Sequence, residues 1–191
     1  MPTTRQPVTP PVFILSIAVR SAVLKYLLKK MNLIGRQEPF RLSKSSQAGR
    51  LLYHLLRKPE QDRQYDTSVG QYPQTLTVAI SKKMVWLDGC RHLTAQAIHD
   101  FNRQVEDMLE EEFLSSLRVL REYGVPIETK QYAKDFMALY DFTEDDISLD
   151  ALIKADYRRR KAAGQRLAPV KPAVSMPKCP VASRPLQPAN V

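Results

Sequence analysis

Five consecutive residues, Tyr157-Arg158-Arg159-Arg160-Lys161, are the densest potential chemistry in this chain. Arginine forks match pairs of phosphate oxygens, and a neighbouring tyrosine can stack on a base. Lys154 precedes them by about one helical turn and Arg166 follows. A second basic set, Lys44, Arg50, Arg57 and Lys58, lies in the stretch SKSSQAGRLLYHLLRK. These two sets are the candidate nucleic-acid-binding residues: Lys44, Arg50, Arg57, Lys58, Lys154, Tyr157, Arg158, Arg159, Arg160 and Lys161. The plainer alternative for the YRRRK run is a cationic cluster that closes a solvated helix and complements its dipole.

Other constellations point away from catalysis. Cys90, His92 and His99 match no zinc-ligand spacing, and no second Cys or His pair completes a tetrahedron, so no metal is expected. Cys90 stands just before a helix start, where a thiolate would be favoured, although a small residue in a tight turn is the simpler reading. Glycine-rich phosphate loops, G-x-S-x-G and H-E-x-x-H are all missing from the sequence, so neither a cofactor nor an enzymatic activity is expected. The run DFTEDDISLD lacks the glycine and closing glutamate of a calcium loop and suits helix capping better. Glu112 is singular because a helical wheel places it inside an apolar stripe. It reads either as a rim residue reaching water or as the receiver of a cation from a packed element.

The element that must position these groups is LTAQAIHDFNRQVEDMLEEEFLSSLRVLREYG, capped by Thr94 and ended by Gly124 and Pro126. Ile98, Phe101, Val105, Met108, Leu109, Phe113, Val119, Leu120 and Tyr123 form its apolar stripe. Its opposite face is acidic. The chain carries a net +9 that is unevenly laid out: +9 over residues 1–60, +1 over 61–99, −9 over 100–150 and +8 over 151–191. Such basic ends follow a phosphate backbone, meet an anionic membrane surface or, alternatively, fold back on the acidic middle or dock to it across protomers. Glu112 is the discriminator, since a cation from either end against it would make the charge pattern an assembly code.

Around this spine, residues 43–58 read as a serine-capped helix stopped by Pro59, with His54 on its polar side. Thr129 to about Tyr140 reads as another helix, burying Tyr132, Ala133, Phe136, Leu139 and Tyr140. Thr143 and Ser148 compete to cap the last one, LDALIKADYRRRKAAG, and these two helices form a candidate helix-turn-helix. TLTVAI alternates as a strand, and MVWLDG supplies a second, giving a β-hairpin anchored by Trp86. Residues 12–30 read as a basic amphipathic helix, too charged at Arg20 and Lys25 to span a membrane. Met31 is an alternative translation start, with residues 1–30 then an upstream extension. Residues 1–11 form a proline-rich leader, EQDRQYDTSVGQYP a polar loop and residues 165–191 a proline-rich disordered tail. With Cys90 and Cys179 making no disulfide framework, a reducing, cytoplasmic location is expected.

The segments EPFRLSKSSQAGRLLYHLL, TLTVAIS, DGCRHLTAQAIHDFNRQVEDML and DFTEDDISLDALIKADYRRRK resemble uncharacterised small accessory proteins carried by phage-like transposable elements in bacteria. The resemblance covers about residues 31–166 and implies a DNA-associated or virion-related role. The expectation is therefore a mainly helical α+β domain over 31–164, with a long spine helix, three or four shorter helices and a small β-hairpin. It follows a leader and basic segment over 1–30 and precedes the tail. The expected function is non-enzymatic nucleic-acid binding. The alternative is a structural or assembly protein, a homo-oligomer joined through the long helix or the hairpin edge.

Overall fold

The computed structural model describes residues 12–31, 39–57 and 69–164. The leader, Lys58, the first part of the polar loop and the proline-rich tail with Arg166 and Cys179 lie outside the described residues. In chain order the elements are β1 (Val12–Val19), α1 (Ser21–Lys30), β2 (Phe40–Arg41), α2 (Gln47–Arg57), a 3-10 turn (Val69–Gln71), β3 (Gln74–Ser81), α3 (Lys82–Trp86), α4 (Ala95–Glu122), α5 (Thr129–Tyr140) and α6 (Leu149–Ala162). The architecture is mainly helical α+β, with α4 as the spine.

Local chemistry sets the helix ends. The Thr94 hydroxyl accepts from the Ala97 amide at 3.1 Å and the Ser148 hydroxyl from the Ala151 amide at 3.2 Å, so Ser148 rather than Thr143 starts α6. Gly124 and Gly164 take φ of +69° and +68° just past α4 and α6, a conformation that favours glycine. Gly49 answers a different demand. A Cβ there would meet the Ser43 carbonyl oxygen at 2.0 Å, so its lack of a side chain lets the Ser43–Ser46 turn close onto α2.

The spine buries Ile98, Phe101, Val105, Leu109 and Phe113 as its spacing predicts, but then turns to Leu114 and Leu117, leaving Val119 and Tyr123 exposed. The reason is a change of partner: Phe113 meets Phe136 and Tyr132 of α5 at ring distances of 5.3 and 5.7 Å. Leu139 of α5 is likewise exposed, and Met137 is buried in its place.

Three strands form the sheet, in order β1-β3-β2. β1 pairs antiparallel with β3 from Val12↔Ser81 to Val19↔Gln74, while Phe40 and Arg41 pair parallel with Val78 and Ala79. The expected helix over residues 12–30 is thus a strand followed by a helix. Phe13 and Ile17 fit a helical spacing, yet 13, 15, 17 and 19 also fit the alternation of a strand, and short apolar runs satisfy both periods. Ile17, Val19 and Val23 are fully buried, so this stretch packs into the core with the residues that follow it.

The expected hairpin also gives way. MVW forms part of α3, whose start is capped by the Ser81 hydroxyl accepting from the Met84 amide. Both edges of β3 are already taken by β1 and β2, which leaves no place for a hairpin partner. Trp86 is consequently not an anchor but 68% exposed.

Candidate nucleic-acid interface

Two sets of cations have opposite surroundings. The first set surrounds the acidic face of α4. Arg20 pairs with Glu106, Lys25 with Asp146, Lys30 with Glu112 and Arg159 with Glu111, while Arg121 and Arg160 both reach Asp156. Glu112 is the centre of one such network. One oxygen accepts from Lys30 Nζ at 2.7 Å and the Tyr140 hydroxyl at 2.6 Å, the other from the Tyr26 hydroxyl at 2.8 Å. Burial would raise its pKa, but the bonds from Lys30, Tyr140 and Tyr26 outweigh that and hold the carboxyl below its ordinary value. At Glu112 the basic segment thus folds back on the acidic middle, the arrangement expected of the assembly reading and not of the nucleic-acid one.

Asp156 is the other centre and is 2% exposed. Arg121 grips it through two bonds of 2.7 and 2.9 Å, Arg160 approaches at 3.0 Å, and Thr129 shares the same guanidinium at 2.9 Å. Thr129, expected as a helix cap, thus serves this network, and the residue at the α5 cap position is Glu128. The spine is also clipped to the β1–α1 junction by buried Asn102, whose oxygen accepts from the Arg20 amide and whose nitrogen donates to the carbonyls of Ala18 and Ile98.

The YRRRK run is divided by this packing. Arg160 turns in to buried Asp156 and Arg159 pairs with Glu111 at the surface, whereas Lys154, Tyr157, Arg158 and Lys161 are exposed and recur at the spacing of one helix face. The α5–α6 connection, Asp141–Ser148, is longer than a helix-turn-helix turn and is tied to α1 by Lys25, which donates to the Asp141 carbonyl and to Asp146.

The second set is built differently. Residues 39–57 and 81–93 hold seven Lys or Arg (Arg41, Lys44, Arg50, Arg57, Lys82, Lys83, Arg91) and a single acid, Asp88, for a net +6. The remaining described residues hold fourteen cations and fifteen acids, a net −1. Two hydrogen bonds join the segments into one surface. The Arg57 Nε donates to the Asp88 carbonyl at 3.1 Å and the His92 amide to the Leu56 carbonyl at 3.3 Å. Tyr53 lies under two cations, with Lys44 Nζ 4.0 Å and the Arg57 guanidinium 5.4 Å from its ring centre. Lys44 approaches Asp88 only at 3.4 Å, the sole ion pair recorded in this lobe among the described residues.

On α2, Arg50, His54 and Arg57 are exposed at positions i, i+4 and i+7, a ridge facing water. Lys82, Lys83, Trp86, Leu87 and Arg91 continue the exposed surface across α3 and the turn after it. Of the expected contact residues, the structure brings Lys44, Arg50 and Arg57 together here and leaves the α6 stripe on a separate element. Sequence reasoning missed Arg41, Lys82, Lys83 and Arg91. The dipeptide Lys82-Lys83 was a legible signal, but the assignment of a core strand to the residues after it concealed its meaning.

Cys90 sits at the floor of this lobe, fully buried, its thiol donating to the Tyr53 carbonyl at 3.7 Å. Burial pushes its pKa up, and nearby Asp88 adds to that, so the site favours a neutral thiol over a reactive thiolate. Among the described residues no three His, Cys, Asp or Glu side chains converge to hold a metal, and no helix is long and apolar enough to cross a membrane. Compared with protein-family models, curated proteins and solved structures, the chain matches none.

Proposed function

We propose that this protein is a non-enzymatic nucleic-acid-binding accessory protein, acting in a mobile element as the resemblance of its sequence implies. The observation that carries the reading is the +6 lobe of α2, α3 and their flanking turns, in which one of seven cations is ion-paired among the described residues. Unpaired arginines and lysines on one surface release counterions when they meet phosphates, and four of the seven are arginines, whose forks bind phosphate oxygens in pairs. The exposed α6 stripe of Lys154, Tyr157, Arg158 and Lys161 is a secondary contact. The test is fluorescence anisotropy with labelled DNA and RNA across a salt series. Binding at low salt that weakens steeply as salt rises supports the reading; absence of binding at low salt, or binding indifferent to salt, overturns it.

A second reading, assembly of protomers, is favoured by one specific feature. β1 is an edge strand free of charge and proline, and its Val12, Phe13 and Ile14 are 45, 41 and 57% exposed. An uncovered apolar edge is a template for another strand. Light scattering that shows a defined oligomer, lost on Ile14→Lys, together with no nucleic-acid binding, would select this reading over the first.

A further inference from the structure

Trp86 is the only tryptophan in the chain, and it stands in water at 68% exposure beside Leu87 at 75%. Such a pair forfeits burial of a large apolar surface, and adjacent exposed apolar side chains commonly mark a binding surface. The local backbone is nevertheless well held. Val85, buried, ties α3 to the core, the Cys90 amide donates to the Met84 carbonyl at 3.0 Å, and the Leu87 amide to the Lys83 carbonyl at 2.9 Å. Lys82 and Lys83 precede Trp86 by four and three residues, so both ammonium groups share its side of the helix. Two residues beyond Trp86, the backbone of Asp88 receives Arg57, from which Arg50 continues the cations along α2.

We propose that Trp86 is a stacking platform for unpaired bases, so that this lobe takes single-stranded nucleic acid in preference to duplex. The inference rests on the nucleic-acid reading above and specifies its substrate. A duplex keeps its base faces stacked inside, where a protruding indole cannot reach them, whereas a single strand can present a base face to the indole and its phosphates to the flanking cations. An anionic membrane surface offers phosphates too, but interfacial insertion uses the broad apolar face of a longer helix. Here the apolar contact is one short turn, and α2 with its exposed Arg50 and Arg57 adjoins it through the Arg57 bond to the Asp88 carbonyl.

Because Trp86 is the sole tryptophan, its emission reports on this site alone. The full chain is titrated with labelled oligo(dT) and with a duplex of equal length, following anisotropy and tryptophan emission together. The expected result is tighter binding of oligo(dT), with quenching of Trp86. Trp86→Ala should weaken oligo(dT) binding about 10-fold while changing duplex binding less than about 2-fold, and Trp86→Phe should restore part of the loss. Circular dichroism of the variants verifies that the fold is kept, and the emission titration of the natural chain stands without any variant. Oligo(dT) binding without a change in Trp86 emission, or equal weakening of both ligands in Trp86→Ala, overturns the inference and leaves the nucleic-acid reading in place. Binding of neither ligand overturns both. A blue shift with phosphatidylserine vesicles in the absence of any oligo(dT) response assigns the patch to membranes and overturns it as well.

Discussion

The helical part of the molecule and the basic lobe carry similar residue types to opposite ends. In the helical part, seven of fourteen cations are tied to carboxylates among the described residues; in the lobe, one of seven is. Where a cation lies against a buried carboxylate, as at Asp156, its loss leaves an uncompensated charge inside the protein. Where it lies in water with no partner, its loss costs the fold little. The cations around Asp156 and Glu112 therefore hold structure, whereas those of the lobe other than Lys44 meet no carboxylate among the described residues. The difference gives each region its own readout.

The largest effect is expected at Asp156. Asp156→Ala strands Arg121 and Arg160 and should lower unfolding stability by about 3 kcal/mol in urea melts, while the fraction still folded binds DNA with unchanged affinity. The reverse pattern should appear in the Arg50→Glu, Arg57→Glu double variant. Its affinity for DNA at low salt should fall about 30-fold, while its stability should fall by only about 1 kcal/mol, the share of the Arg57 bond to the Asp88 carbonyl. A large stability loss in that variant would erase the distinction between the regions. Gly49→Ala asks what holds the lobe together if ion pairs do not. Forcing a Cβ against the Ser43 carbonyl oxygen should cost about 2 kcal/mol, and DNA affinity should fall with it as Lys44 is displaced.

Glu112→Gln should be milder, about 1 kcal/mol, because a quarter of that side chain is wet. It also bears on acid sensitivity. Glu112, Asp146 and Asp156 have folded-state pKa values below their ordinary ones. The unfolded chain therefore binds more protons in acid, and their stabilisation, fully present above about pH 4.5, is lost as pH falls through the folded values. Urea midpoints measured downward from pH 6 should show that loss, with a shallower slope in Glu112→Gln. The smallest effect is expected for Arg158→Ala on the α6 stripe, less than about 2-fold in DNA affinity. A loss rivalling that of the α2 double variant would move the principal contact to α6.

Much of this arrangement was legible beforehand. The spine, its Thr94 cap and its Gly124 end follow from local chemistry, as do α2, α5, the Ser148 option for α6 and the alternation of β3. Glu112 was visible as an acid within an apolar stripe, and its partner Lys30 belongs to the basic segment that the charge layout offered. The errors fall where local pattern is ambiguous. Residues 12–19 satisfy two periods at once, and β2, two residues long, has no pattern to read. MVW has strand propensity but follows a serine cap and a β3 whose edges are filled by distant segments. The burial of Asn102 and Asp156 could not be read, because Arg20 and Ala18 lie 82 and 84 residues from Asn102 and Arg121 lies 35 from Asp156; only Arg160, four residues on, was a local signal.

By itself the sequence determined the mainly helical class, the length and ends of the spine, and the amounts of positive and negative charge in each segment, since caps, periodicity and composition act over a few residues. Which cations are neutralised was decided only in the tertiary structure. Pairing depends on which elements are brought within a few ångströms of α4, and that is set by the long-range contacts of β1, α1 and α6. The same packing left Arg50, Arg57, Lys82, Lys83 and Trp86 facing water.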